Sequence, residues 1–149
     1  MKEYLFRLQK VLKAKQIKQD VEQRKLMEEK RILNQQQEEL QELKSRELRF
    51  IEEMKQKRMQ SSRGHELRNY SSYQRQVQKY VDQQQEEVEA AHLRVRRQRQ
   101  DLLDAAQETQ MLDKLKEKDY RKHVQEANLR EQKTLDELSQ LQPFRNNQD

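Results

Sequence analysis

LMEEKRILNQQQEELQELKSRELRFIEEM, residues 26–54, decides the fold. Leu26, Leu33, Leu40 and Met54 stand at seven-residue intervals, with Glu47 filling the remaining slot. Between them runs a second row, Glu29, Gln36, Leu43 and Phe50. A repeat of seven returns to one side of a helix every two turns. The pattern therefore marks a narrow apolar stripe that a partner helix must cover, the signature of a coiled coil. Followed upstream, the first row takes in Leu5, Leu12 and Gln19, and the second Leu8, Lys15 and Glu22. The second row is polar at many positions.

The composition agrees with so thin a seam. The chain has 149 residues, of which 40% are charged and only 32% hydrophobic, and about one in six is Gln. That supply of apolar surface is too small to offset chain entropy in a globular core of ordinary size. An elongated coiled coil or a disordered chain remains. One Gly and one Pro in the whole sequence, among many Leu, Glu, Lys, Arg and Gln, favour helix. No Cys is present, which excludes disulfides and thiolate metal sites. No segment reads as a secretion signal or a bilayer span, so a soluble chain is expected, with any membrane association through a partner. The net charge of +5 is the small difference between 32 basic and 27 acidic residues, and is not in itself a nucleic-acid footprint.

The one strong break is MQSSRGHE, residues 59–66, where Ser62 or Gly64 would form a turn. The repeat then resumes in two rows, Leu67, Val81, Val88, Val95, Leu102 and Tyr70, Val77, Ala91, Ala105, Leu112. Beyond Leu115 the apolar set moves by about one residue, to Tyr120, Val124, Ala127, Leu135 and Leu138, as in a local change of supercoil. Pro143 should end the helix. The reading is all-α: one coiled-coil domain over 1–149, an antiparallel two-helix hairpin with the second helix longer. Helix one spans about 2–59, the turn about 60–65, helix two about 66–140, and a frayed tail 141–149. At 1.5 Å per residue the helices measure about 87 Å and about 112 Å. Folding at 62–64 sets Leu5 roughly opposite Arg121, so residues after about Tyr120 should project past helix one.

That projection contains NLREQKTLDELSQ, residues 128–140. Helical angles put Gln132, Lys133, Asp136 and Glu137 on one arc and Val124, Ala127, Leu135 and Leu138 on the other. An amphipathic helix without a companion should find one: another copy, the start of helix one, or a different protein. Elsewhere the chemistry is sparse. His65, His92 and His123 make no ligand spacing with nearby carboxylates, and no phosphate loop or nucleophile elbow occurs. No catalytic, cofactor-binding or metal residues are expected, and an enzyme is rejected. Acid–base pairs such as Glu117 with Arg121 and Glu126 with Arg130 read as weak surface contacts. The cluster Arg94, Arg96, Arg97 and Arg99 reads as a solvated helix face, diluted by neighbouring acids, rather than a nucleic-acid patch. Tyr73 and Tyr80 form a row outside the seam, near the hairpin end with Leu43, Phe50 and Ile51. They read either as a partner surface or as a widened seam.

In their order, LFRLQKVLKAK, RNYSSYQRQVQKYVDQQ, LDKLKEKDYRK and NLREQKTLDELSQ resemble the flagellar FliJ family of type III export proteins along nearly the whole chain. Related injectisome stalk proteins share the architecture. The resemblance implies a non-enzymatic stalk, similar to the rotary-ATPase gamma subunit and lacking any cofactor. Its terminal end would insert into the flagellar export ATPase hexamer and promote its assembly and activity. Ring contacts are then expected at Gln132, Lys133, Leu135, Asp136, Glu137 and Leu138. The other end would engage the export-gate membrane protein through Leu43, Phe50, Tyr73, Val77 and Tyr80. Arg46 and Gln84 stand where relatives carry aromatic or other residues. Export-chaperone escort, a cytoplasmic location at the inner membrane through the export apparatus, and a part in motility are implied as well. The alternative is a coiled-coil adaptor or export chaperone with no role inside a ring.

Overall fold

The computed structural model describes residues 3–60 and 64–146, with side chains described for 3–60 and 68–141. Two helices carry the chain: α1, Gln9–Gln60, and α2, Gly64–Asn146. They pack antiparallel, as the short connection between Gln60 and Gly64 requires. Neither helix needs unusual backbone geometry, and no residue described, Gly64 included, has a positive φ. Lys57 and Arg58 in the last turn of α1 face the negative end of its dipole.

The chain divides into two compact units, one of residues 1–20 with 104–149, the other of residues 21–103. Each unit holds a segment of both helices. In the unit of residues 21–103, Leu26, Met54, Val81, Val88, Ala91 and Val95 are buried, and Leu33, Leu40, Leu43, Phe50 and Val77 half-buried. These are the residues of the seven-residue rows. The polar members of the rows also face inward. Gln84 donates from Nε2 to the Gln36 backbone carbonyl at 3.0 Å and to its Oε1 at 2.6 Å. Gln98 donates to the Glu22 carbonyl at 3.0 Å and to the Glu22 carboxylate. Midway between these layers by heptad count stand Glu29 and Ala91. Ala91, with no exposed surface, leaves room for the Glu29 stem, whose head reaches Arg94 Nε at 3.4 Å. Buried polar groups are tolerated in such a seam when partnered. The two glutamines are hydrogen-bonded, whereas Glu29 Oε2 is buried without a hydrogen bond and has only the Arg94 cation beside it.

In the unit of residues 1–20 and 104–149, Phe6, Leu12 and Ala105 are buried, and Lys15 Nζ crosses to Glu108 at 2.8 Å. Thr109 is buried and donates back to the Ala105 carbonyl at 3.1 Å, the usual way a helix satisfies an inward hydroxyl. Lys116 Nζ meets Gln9 Oε1 at 2.8 Å.

The element boundaries differ from the sequence reading in three places. Helix one begins at Gln9, not residue 2, and Leu5 is 83% exposed instead of lying in the seam. Residues 3–8 are non-helical, so the heptad count does not apply to them. Phe6 takes the buried place, and the Gln9 amide closes a turn on the Phe6 carbonyl at 3.1 Å. Gly64 is helical, and of the expected turn only 61–63, Ser62 among them, lie outside the described residues. Glycine is well tolerated at a helix start, where backbone bonds are not yet required. Finally, α2 continues through Pro143 to Asn146 in place of a tail frayed from 141. The proline removes one backbone donor, and the carbonyl it strands, four residues back at Ser139, lies in an exposed turn where water can serve it.

Candidate functional site

The first candidate region is the bare end of α2. Its companion on the N-terminal side is the strap of residues 3–8. Tyr4 packs edge-on against Tyr120, with ring centroids 5.2 Å apart, and lies 5.3 Å from the His123 ring. Its hydroxyl donates to Asp119 Oδ2 at 2.9 Å. Burial, and then the hydrogen bond to Asp119 and its negative charge, push the Tyr4 phenol above its ordinary range. Glu3, Tyr4, Leu5, Asp119, Lys122, His123 and Glu126 surround an open cleft of about 470 Å³. This clasp lies within a turn of the predicted match between Leu5 and Arg121.

Coverage of α2 reaches slightly past the predicted limit. His123, Val124 and Ala127 are still half-buried, because non-helical residues advance farther along a partner than helical ones do. From residue 128 to 141 every side chain is exposed. Gln132, Lys133, Leu135, Asp136, Glu137 and Leu138 all lie in this stretch, Leu135 65% and Leu138 56% exposed. Leu129 and Leu141 are bare as well and were missed by the sequence reading. The signal for Leu141 was there: Ala127, Thr134, Leu138 and Leu141 continue the three-and-four spacing of the seam beyond its covered part. Glu131 interrupts that stripe. The Thr134 hydroxyl donates to the Arg130 carbonyl at 2.8 Å, so it is turned to its own backbone.

The second region lies toward the end of α1 and the start of α2, in the unit of residues 21–103. Phe50 packs tilted against Tyr73 with centroids 4.5 Å apart and against Tyr70 at 6.0 Å. Lys57 Nζ lies 5.3 Å from the Tyr70 ring centroid and 2.8 Å from its hydroxyl. Tyr73 and Tyr80 remain about half exposed, at 52% and 51%. Leu43 and Tyr80 share a shallow depression of about 480 Å³ with Gln83, Gln84, Glu86 and Glu87. Leu43, Phe50 and Val77 thus belong to the seam, while the two tyrosines extend it outward on one flank. The seam is thus widened on this flank, and Tyr73 and Tyr80 keep a half-exposed aromatic edge. Arg46 is tied to Glu42 at 2.8 Å, and Gln84 is turned into the seam.

Of the remaining candidates, the His65 side chain lies outside the described residues. Arg94 is occupied by Glu29, and Arg96, Arg97 and Arg99 are exposed. Arg121 pairs with Glu117 at 2.6 Å, as the spacing suggested. Among the described residues no group of three or more His, Asp or Glu side chains is placed to hold a metal ion. Among the same residues no helix is long and apolar enough to cross a membrane.

The family model of the flagellar FliJ protein matches residues 4–148. The chain belongs to the FliJ family. A search of curated protein sequences returned no match. One solved structure, described as a YscO homolog, CT670, from Chlamydia trachomatis, superposes with a TM-score of 0.67. It covers 99% of this chain and 99% of its own at 22% identity, a likeness that speaks for the fold. FliJ membership makes the chain a protein related to the flagellar type III export apparatus.

Proposed function

We propose that this FliJ-family chain is a non-enzymatic stalk of the flagellar type III export apparatus, coupling an export ATPase hexamer to the export gate at the inner membrane. The observation that carries the reading is the run 128–141, in which an amphipathic helix continues the seam with no companion. A single helix within a ring touches only some subunits at a time. Contacts of that kind favour ring assembly and bias nucleotide states by binding some conformations better than others. Leu135 and Leu138 supply packing, and Gln132, Lys133, Asp136 and Glu137 the polar contacts. At the other end the half-exposed Tyr73 and Tyr80, backed by Leu43, Phe50 and Val77, form the surface for the gate protein. Aromatic side chains that are partly packed and partly exposed are the usual anchors of such interfaces. Export chaperones are further partners on this reading, and the protein works in the cytoplasm against the membrane-bound apparatus.

The test is stimulation of the export ATPase. Substituting Gln132, Lys133 and Asp136 together by Ala, on an exposed surface where Ala favours helix, should leave the circular dichroism spectrum intact and lower stimulation by about tenfold or more, the equivalent of about 1.4 kcal/mol of binding. Stimulation equal to that of the unaltered protein would overturn the assignment.

A further inference from the structure

The flank of the helix pair opposite Tyr73 carries a cluster that neither the seam nor the stalk reading uses. Gln37 and His92 face each other at 3.3 Å on this flank. Moving three heptads toward the hairpin end, up α1 and down α2, replaces that pair with Arg58 and Ser71. Arg68, Ser71, Ser72 and Arg75 line one shallow depression of about 380 Å³. Their spacing of three, four and seven residues keeps them on one side of α2. Lys55 and Arg58 of α1 border the adjoining depression with Ile51, Met54 and Gln74. Lys55, Arg58, Arg68 and Arg75 are exposed, and none takes part in an ion pair among the described residues. Residues 54–60 and 67–81 contain no Asp or Glu; the nearest acids in sequence are Glu52 and Glu53 on α1 and Glu66 and Asp82 on α2. Acid-free basic runs also occur at 4–19 and 90–100, but there acids of the facing helix meet them, Glu108 on Lys15 and Glu29 on Arg94.

We infer that this flank is a binding surface for the phosphate headgroups of an anionic lipid bilayer. Guanidinium groups and hydroxyls are the donors that oxyanions take, and Arg offers them in a planar fork. The surface is open and shallow, suited to an array of anions rather than one enclosed ion. It also lacks exposed aromatic anchors, which lie on the opposite flank, so a protein partner would have little to grip. Four cations in one cluster is the number at which adsorption to anionic lipid becomes readable. The contact is adsorption, with no segment entering the bilayer, and it uses none of the residues proposed to contact the ATPase.

The experiment is co-sedimentation of the full chain with vesicles of phosphatidylcholine alone or with about one-third phosphatidylglycerol, at low and physiological salt. The expected result is binding to the phosphatidylglycerol vesicles only, weakened at least tenfold by the triple substitution Arg58→Gln, Arg68→Gln and Arg75→Gln. The control is Arg96→Gln, Arg97→Gln and Arg99→Gln, which removes the same charge elsewhere and should bind like the unaltered protein. Equal loss in both variants would reduce the effect to net charge and overturn the proposal. So would an unaffected first variant, equal binding to neutral vesicles, or binding abolished by millimolar inorganic phosphate, which would make free phosphate the ligand. Retention on a glutamate-rich peptide or duplex DNA with no vesicle binding would overturn it too. Because no ATPase is present, failure here leaves the stalk reading where it was, and a failed ATPase assay leaves this one.

Discussion

Gln84 sits in the seam with its amide spent twice on Gln36, once on the side chain and once on the backbone carbonyl. Replacing it by Leu would leave the Gln36 amide half-buried and short of a partner. The expected loss is about 1–2 kcal/mol in urea denaturation, since an orphaned polar group costs more than its hydrogen bond contributes. Replacing both Gln36 and Gln84 by Leu should recover that loss or exceed the original stability. A double variant no more stable than Gln84→Leu alone would show that the layer does not act as a pair. The residue-level rows were legible in the sequence because a seven-residue repeat is a property of the helix itself. What the polar members of the rows do was not legible. Whether Gln36 points at a partner or at water depends on the residue opposite, and the repeat alone does not name it.

At the scale of elements, α2 changes character along its length. From Val81 to Thr109 it is buried at regular intervals, and from residue 128 to 141 every side chain is exposed. Helix stability in water comes mostly from a packed face, so the two stretches should open at different rates. Amides of 130–141 should exchange with deuterium at least ten times faster than those of 88–105, and should slow in a complex that covers them. Uniform protection along α2 in the isolated protein would contradict the exposure of residues 128–141. The overhang was legible by counting residues to either side of the turn. Its root was not, because the count assumed helix from residue 2, whereas residues 3–8 form the strap that places Tyr4 on Tyr120. A tyrosine before a helix start gives no periodic signal, and its contact is visible only when the two chain segments are brought together.

At the scale of the molecule, both candidate surfaces were assembled from residues already suspect in the sequence, and the cationic flank near Ser71 was not. Its members are split between two helices, and their common side depends on the pairing of α1 with α2. The stalk reading carries a requirement of its own: one copy of the chain per ATPase hexamer, measured by native mass spectrometry of the assembled ring. Two or more copies bound with equal affinity per ring would favour the adaptor reading. The Tyr4 clasp bears on how any of these measurements is made. Because the strap brings residue 3 beside Glu126, an affinity tag or fluorophore fused ahead of it would hang over the first turns of the uncovered helix. Such a label would report engagement of that helix well and disturb it badly. Assembly assays therefore call for a free N-terminus, and a small dye at Glu3 makes a distance probe for whatever comes to sit on Leu129 to Leu141.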